Sequence, residues 1–146
     1  MAILQTVCDS YKAELAQALH NFTKDTGHQF AIALYTSLAS LNQATTNYTS
    51  DGEVVGAGYT AGGFLWTPAD NLTPLTNSNI AFWSFSRNPE WQNATITARG
   101  ALLYNVTSGN RAVCIFDFGA DKSSFNGTFS LALPGNSIGT SILRIE

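Results

Sequence analysis

The chain has 146 residues, which is enough for one domain with its own hydrophobic core, and we take residues 1–146 as that single domain. Hydrophobic residues make up 45% of the chain and charged residues only 12%, whereas about 25% charged residues is usual in soluble domains. The net charge is −3 and the seven basic residues are scattered, which argues against nucleic-acid binding. We also expect no secretory signal and no membrane span, because no apolar run approaches the roughly 18 residues that a span requires.

Two cysteines, Cys8 and Cys114, stand far apart in the sequence. Isolated cysteines of this kind are more often buried thiols than partners in a disulfide, and we favour that interpretation. No cysteine–histidine cluster has the spacing of a zinc site. The sequence therefore predicts neither a metal site nor a cofactor.

An amphipathic helix is predicted over residues 3–24, because apolar residues recur at steps of three or four. Asp9 and Ser10 are residues that cap helices, so the helix could begin anywhere between Ile3 and Ser10. Either the domain's own sheet or another subunit must cover its apolar stripe. The stripe consists of Leu4, Val7, Tyr11, Leu15, Ala18, Leu19 and Phe22.

The rest of the chain, residues 29–146, is predicted to be a β-domain, since apolar residues alternate with period two between turn signals. About seven or eight short strands of this kind are typical of a sandwich. The predicted fold is mainly β: an antiparallel β-sandwich or jelly-roll-like domain with one N-terminal α-helix. Beyond a first strand near Phe30, the candidate strands are Glu53–Val55, Gly63–Thr67, Ile80–Ser86, Ala94–Tyr104, Arg111–Phe118, Gly127–Leu133 and Ser141–Ile145.

Connections between these strands follow from turn-forming residues. Tyr104–Arg111 is predicted to form a hairpin with Ser108, Gly109 and Asn110 at its tip. Asn126-Gly127 predicts a further turn. Leu38–Ser50 and Pro68–Asn79 are polar and show little periodicity, so we expect the longest loops there.

No group of residues predicts an enzyme. The two histidines, His20 and His28, lie near Asp25, but an ordinary turn explains that segment better than a catalytic site. Asp117-Phe118-Gly119 copies the magnesium-binding tripeptide of kinases without the other kinase motifs, and we interpret it as a strand that ends in a glycine turn. The segment Gly56–Gly63 lacks the lysine of a phosphate loop, so we expect its glycines to allow a bulge, a positive φ or close packing of backbones.

The middle of the chain is rich in aromatic residues. In Ile80–Ser86, Phe82 and Trp83 fall on opposite faces, which fits either a strand covered on both sides or an exposed aromatic platform. Such a platform would contact a protein or a sugar, and we favour protein. Arg99 lies within a predicted strand, and Asp117 on the adjacent hairpin strand is its candidate ion-pair partner.

Six segments follow one another along nearly the whole chain: Leu4–Cys8, His20–Thr23, Ala31–Ser37, Gly56–Gly63, Asn93–Asn105 and Ala112–Gly119. Together they resemble a family of small proteins encoded in the structural gene regions of tailed bacteriophages and prophages. Phe64–Pro89 is the part that departs from the family pattern.

The resemblance implies a non-enzymatic virion structural protein, assembled in the bacterial cytoplasm. A capsid decoration (cement) protein, acting as a homo-oligomer and favouring a trimer, is the preferred expectation, with capsid or tail proteins as partners. The alternatives are a tail, connector or fibre-base component, and a carbohydrate-binding adhesion module for a host glycan. The residues expected at the contacts are Leu4, Val7, Tyr11, Tyr59, Phe82, Trp83, Trp91 and Arg99.

Overall fold

A computed structural model describes residues 2–135, 137 and 139–146. The fold is mainly β and sandwich-like, as the sequence predicts, and these described residues form two antiparallel sheets and a single α-helix near the N-terminus. One sheet has the strand order β1-β7-β6-β2-β3 and the other has the order β4-β5-β8. The elements are β1 (Thr6–Val7), α1 (Asp9–Ala16), β2 (Phe30–Tyr35), β3 (Phe64–Leu65), a 3-10 turn (Pro68–Asp70), β4 (Leu75–Asn77), β5 (Ile80–Trp83), β6 (Glu90–Asn105), β7 (Arg111–Ser130) and β8 (Leu143–Ile145).

A long hairpin of β6 and β7 organises the larger sheet. Its pairing begins at Asn105 and Arg111, beside the predicted tip, and extends to Glu90 and Ser130. The prediction of two separate strands in the second half of this hairpin, with a turn at Asn126-Gly127, is wrong because β7 runs through both. Gly119 (φ +77°) and Asn126 (φ +47°) lie at shifts of register within the hairpin. A continuous partner strand can absorb a positive φ as a bulge, so these turn-forming residues do not end the strand.

The N-terminal helix is much shorter than predicted. It begins at Asp9, inside the predicted range, but ends at Ala16, and Cys8 stands at the N-cap position without a side-chain capping hydrogen bond. Thr6 and Val7 instead form β1, paired with Ile115 and Cys114. Sheet pairing satisfies the backbone of these residues and overrides their place in the helical pattern.

Strand β2 is the centre of the core. All six of its residues are buried, so it is covered on both faces instead of one. Aromatic rings then connect β2 to the smaller sheet: Phe22 stacks on Phe30 at 4.3 Å between ring centroids and contacts Trp83 of β5 at 5.2 Å. These contacts hold the two sheets together.

The predicted loops contain more structure than their composition indicates. In the first, Leu41 forms a bridge with Ile3 and Asn47 forms one with Arg111. The second loop contains the 3-10 turn and β4, which the sequence did not predict. The two cysteines are free and buried, which confirms the prediction for the thiols.

Candidate functional surfaces

Most of the predicted contact residues are packed inside the chain. Tyr11, Phe82, Trp83 and Trp91 are each less than 8% exposed, Val7 and Tyr59 are half-buried, and Leu4 is 52% exposed. The interpretation of Ile80–Ser86 as a segment covered on both sides is therefore confirmed, and the aromatic platform is wrong. The interface role of the eight residues stays a prediction, but the four buried ones present almost no surface to a partner.

Arg99 forms the predicted ion pair. Its Nε lies 2.9 Å from Oδ1 of Asp117, and the same oxygen accepts the backbone N–H of Gly119. The hydrogen bond from Arg99 lowers the pKa of Asp117. Asp117 thus bridges Arg99 and the bulge at Gly119 within one continuous strand, so Asp117-Phe118-Gly119 is not the strand end that the sequence predicted.

The most exposed large apolar side chains lie elsewhere, on one open groove. Val55 is 95% exposed and Phe125 is 88% exposed. We call this groove the Val55–Phe125 surface. Its lining consists of Thr36, Val55, Thr95, Ile96, Thr97, Ser123, Ser124 and Phe125. Among the described residues no charged side chain lines it, so burying it against a partner would desolvate no charge.

Hydrogen bonds hold the β6–β7 side of this surface in place. Thr97 Oγ1 lies 2.7 Å from Ser123 Oγ, and Ser124 Oγ donates to the carbonyl of Ala94 at 2.9 Å. The backbone N–H of Asn126 donates to Thr95 Oγ1 at 2.9 Å, directly beside Phe125. The aromatic ring is therefore exposed on an ordered strand.

A buried carboxylate anchors the other side. Glu53 is 8% exposed and accepts hydrogen bonds from Tyr48 Oη (2.6 Å), Tyr59 Oη (2.7 Å) and the backbone N–H of Gly62 (2.7 Å). Tyr104 Oη of β6 donates to the carbonyl of Gly62, and burial raises the pKa of Tyr104 to about 12. This network fastens the segment that carries Val55 to the sheet.

The glycines near Val55 pack closely against β6 and β2. A Cβ at Gly56 would lie 2.5 Å from the carbonyl oxygen of Thr95, and Gly63 (φ +81°) leaves no room between itself and Ile32. The packing interpretation of this glycine-rich segment is thereby confirmed.

Sequence reasoning missed this surface. The sequence pattern predicts a short strand at Val55, but only Glu53 forms a bridge there. It also predicts a turn beside Phe125 at Asn126-Gly127, where β7 instead continues. The available signal was a lone aromatic residue between Asp121 and Gly127, in a run of polar and small residues.

Both histidines take part in structural hydrogen bonds. His20 Nε2 lies 2.7 Å from Glu14 Oε2, while Asp25 faces Lys24 at 4.0 Å. In the part of the chain that the structure describes, no three histidine, cysteine, aspartate or glutamate side chains are grouped as they would be around a metal ion. Within the same residues, no helix has the length and apolar character needed to cross a membrane.

Comparison with known proteins found no matching family model, no similar curated protein and no similar solved structure.

Proposed function

We propose that this chain is a non-enzymatic structural protein of a tailed-phage virion, most specifically a capsid decoration protein that attaches through the Val55–Phe125 surface. We infer the attachment site from two large apolar side chains that are exposed on an ordered, uncharged groove. The virion assignment rests on the resemblance of the sequence segments described above.

The groove suits a protein partner whose contacting surface is also apolar or neutral. Burying a large apolar side chain contributes roughly 1.5–3 kcal/mol, and a stable contact covers about 800 Å² on each partner. Because ionic screening acts on charges, we expect attachment to change little between low and moderate salt. Attachment that fails in moderate salt would contradict this mechanism.

Docking by side chains fits this region better than addition of a strand. Among the described residues, β7 beyond Ile115 pairs with β6 alone, so its other edge has no strand partner. That edge carries the irregularities at Gly119 and Asn126 together with Lys122, and such features discourage sheet-to-sheet pairing. We therefore place the contact on the groove and not on the edge.

Replacing both apolar side chains, Val55→Ser with Phe125→Ser, should weaken attachment at least tenfold without lowering the unfolding midpoint. The measurement is cosedimentation of the purified protein with phage heads assembled without it. Leu75→Ser is the matched control, because Leu75 is 51% exposed but lies on β4 in the other sheet. Equal binding of the double variant and wild type would contradict the site.

Three measurements distinguish the alternatives: cosedimentation, light scattering and a glycan titration. Binding to tails but not to heads would indicate a tail, connector or fibre-base component. Mass measurement by light scattering tests the homo-oligomer: a stable trimer favours attachment at the local threefold positions of a capsid. A saturable change of tryptophan fluorescence on titration with host surface glycans would instead favour the adhesion module.

A further inference from the structure

The two histidines of the chain converge on one buried amide. Asn105, the last residue of β6, is fully buried, and its Nδ2 lies 3.0 Å from His20 Nδ1 and 3.0 Å from His28 Nδ1. The other end of the side chain is occupied, because Oδ1 accepts the backbone N–H of Ser108 at 3.1 Å. That bond orients the amide, so its NH₂ group faces both rings.

This arrangement determines which ring nitrogen of each histidine acts as a hydrogen-bond acceptor. The amide nitrogen carries two hydrogens and has three acceptors within reach: the two Nδ1 atoms at 3.0 Å and the carbonyl of Leu19 at 3.4 Å. A protonated Nδ1 would place two donors 3.0 Å apart, so the two shorter contacts require Nδ1 of each ring to be an unprotonated acceptor. His28 Nδ1 also accepts the backbone N–H of Asn21 at 3.3 Å. His20 uses its other nitrogen, Nε2, to donate to Glu14 Oε2. The contacts fit His20 as the neutral, Nε2–H tautomer.

Adding a second proton to His20 would break this arrangement. The new Nδ1–H would point at the NH₂ group of Asn105, so two donors would face each other with no acceptor between them. Burial lowers the pKa of His20, and the hydrogen bond that His20 donates to Glu14 opposes that shift. The other groups that face His20 are His28 and Arg111, which also lower its pKa, and the ring of Tyr11 at 4.8 Å.

We propose that Asn105, His20, His28 and Glu14 form an acid-sensitive switch: it holds the α1–β2 connection against the β6–β7 turn while His20 is neutral, and loosens this contact when His20 gains a proton. This inference is independent of the proposed function. The contact that would loosen is well defined, since Ser108 Oγ of the turn donates to the carbonyl of Leu19 at 2.6 Å.

The direction of the pH effect follows from the two states. The pKa of His20 is lower in the folded protein than in the unfolded chain, where it is about 6.5. Between these two values the unfolded chain binds more protons, so stability is fully present above about pH 6.5 and is lost as pH falls. Carboxylates titrate near pH 4, so a measurement between pH 7.5 and 5 isolates the histidine effect.

The first test uses the wild-type protein. Nitrogen-15 NMR of the imidazoles at pH 7.5 should show both Nδ1 atoms unprotonated, and His20 should titrate below 6.5. Hydrogen exchange, corrected for its intrinsic pH dependence, should increase at least tenfold near Leu19 and Ser108 by pH 5 while the β6–β7 ladder keeps its protection. A protonated Nδ1 on His20, or uniform protection at both pH values, would overturn the proposal.

The second test reverses the switch. Asn105→Asp places a carboxylate oxygen where the NH₂ group stands, so a protonated Nδ1 gains an acceptor. The pKa of His20 should rise above its unfolded value of about 6.5, so the folded state then binds more protons and the variant should become more stable as pH falls from 7.5 to 5. Ser108→Ala is the control: it removes the bond to Leu19 but should leave the titration of His20 in place. An unchanged His20 titration in Asn105→Asp would overturn the proposal. If that variant does not fold, the protonation of His20 Nδ1 in the wild-type protein at pH 7.5 is the deciding measurement.

Discussion

Replacing Gly63 with alanine is expected to lower the free energy of unfolding by about 2–5 kcal/mol, because two penalties add: a left-handed conformation and a steric overlap. Gly63 has φ +81°, and an added Cβ would overlap the carbonyl oxygen of Ile32, in the fully buried strand β2. The neighbouring atoms belong to backbone and cannot rotate away. Urea unfolding followed by tryptophan fluorescence measures the loss.

Gly109→Ala is the matched control for that variant. Gly109 has φ +73°, but an added Cβ there meets no atom within 4 Å. Gly109→Ala should therefore lose only the roughly 1–2 kcal/mol that the left-handed conformation costs an alanine. If the two alanine variants lost the same stability, close packing at Gly63 would not be the cause.

Glu53→Ala is the second large effect, with an expected loss of about 3 kcal/mol or more. The substitution leaves two tyrosine hydroxyls and the N–H of Gly62 without their acceptor. These groups are partly buried, so each is expected to cost roughly 1 kcal/mol, the lower end of the range for buried unsatisfied polar groups. Because the network holds the segment that carries Val55, this variant should also weaken attachment. Thermal and urea unfolding give the stability, and head cosedimentation gives the attachment.

Glu53→Gln tests whether the network depends on its hydrogen bonds or on the negative charge of the carboxylate. Glutamine keeps one oxygen for Tyr59 and Gly62, and its NH₂ group can donate to Tyr48, so we expect most of the stability to return. A glutamine variant as unstable as the alanine variant would show that the negative charge, and not the hydrogen-bond geometry, is what the network requires.

Patterns that depend on neighbours in sequence predicted much of the fold. Period-two alternation predicted the β class and the strands at the centre of the larger sheet, and the turn residues at Ser108, Gly109 and Asn110 predicted where β6 turns into β7. In that hairpin Asp117 pairs with Gly100, the neighbour of Arg99, and the two side chains form the ion pair across a shift of register. Each of these features arises from local backbone preferences or from one hairpin register.

Which apolar residues are covered was decided by the tertiary structure. The sequence pattern predicts Tyr11, Trp83 and Trp91 as contact residues, but packing within the domain buries them and leaves Val55 and Phe125 exposed. Periodicity indicates that one face of a strand is covered, and it does not indicate whether a second layer covers the other face.

Local preferences are enough to predict the β-rich class and the position of the β6–β7 hairpin, because propensity, alternation and turn chemistry depend on neighbours in sequence. The early end of α1, the continuation of β7 through Asn126 and the meeting of His20 with Asn105, 85 positions apart, were decided only in three dimensions. Pairing with a distant strand satisfies backbone groups whatever their local preference, and a shared hydrogen-bond donor exists only where the folded chain brings both acceptors to it.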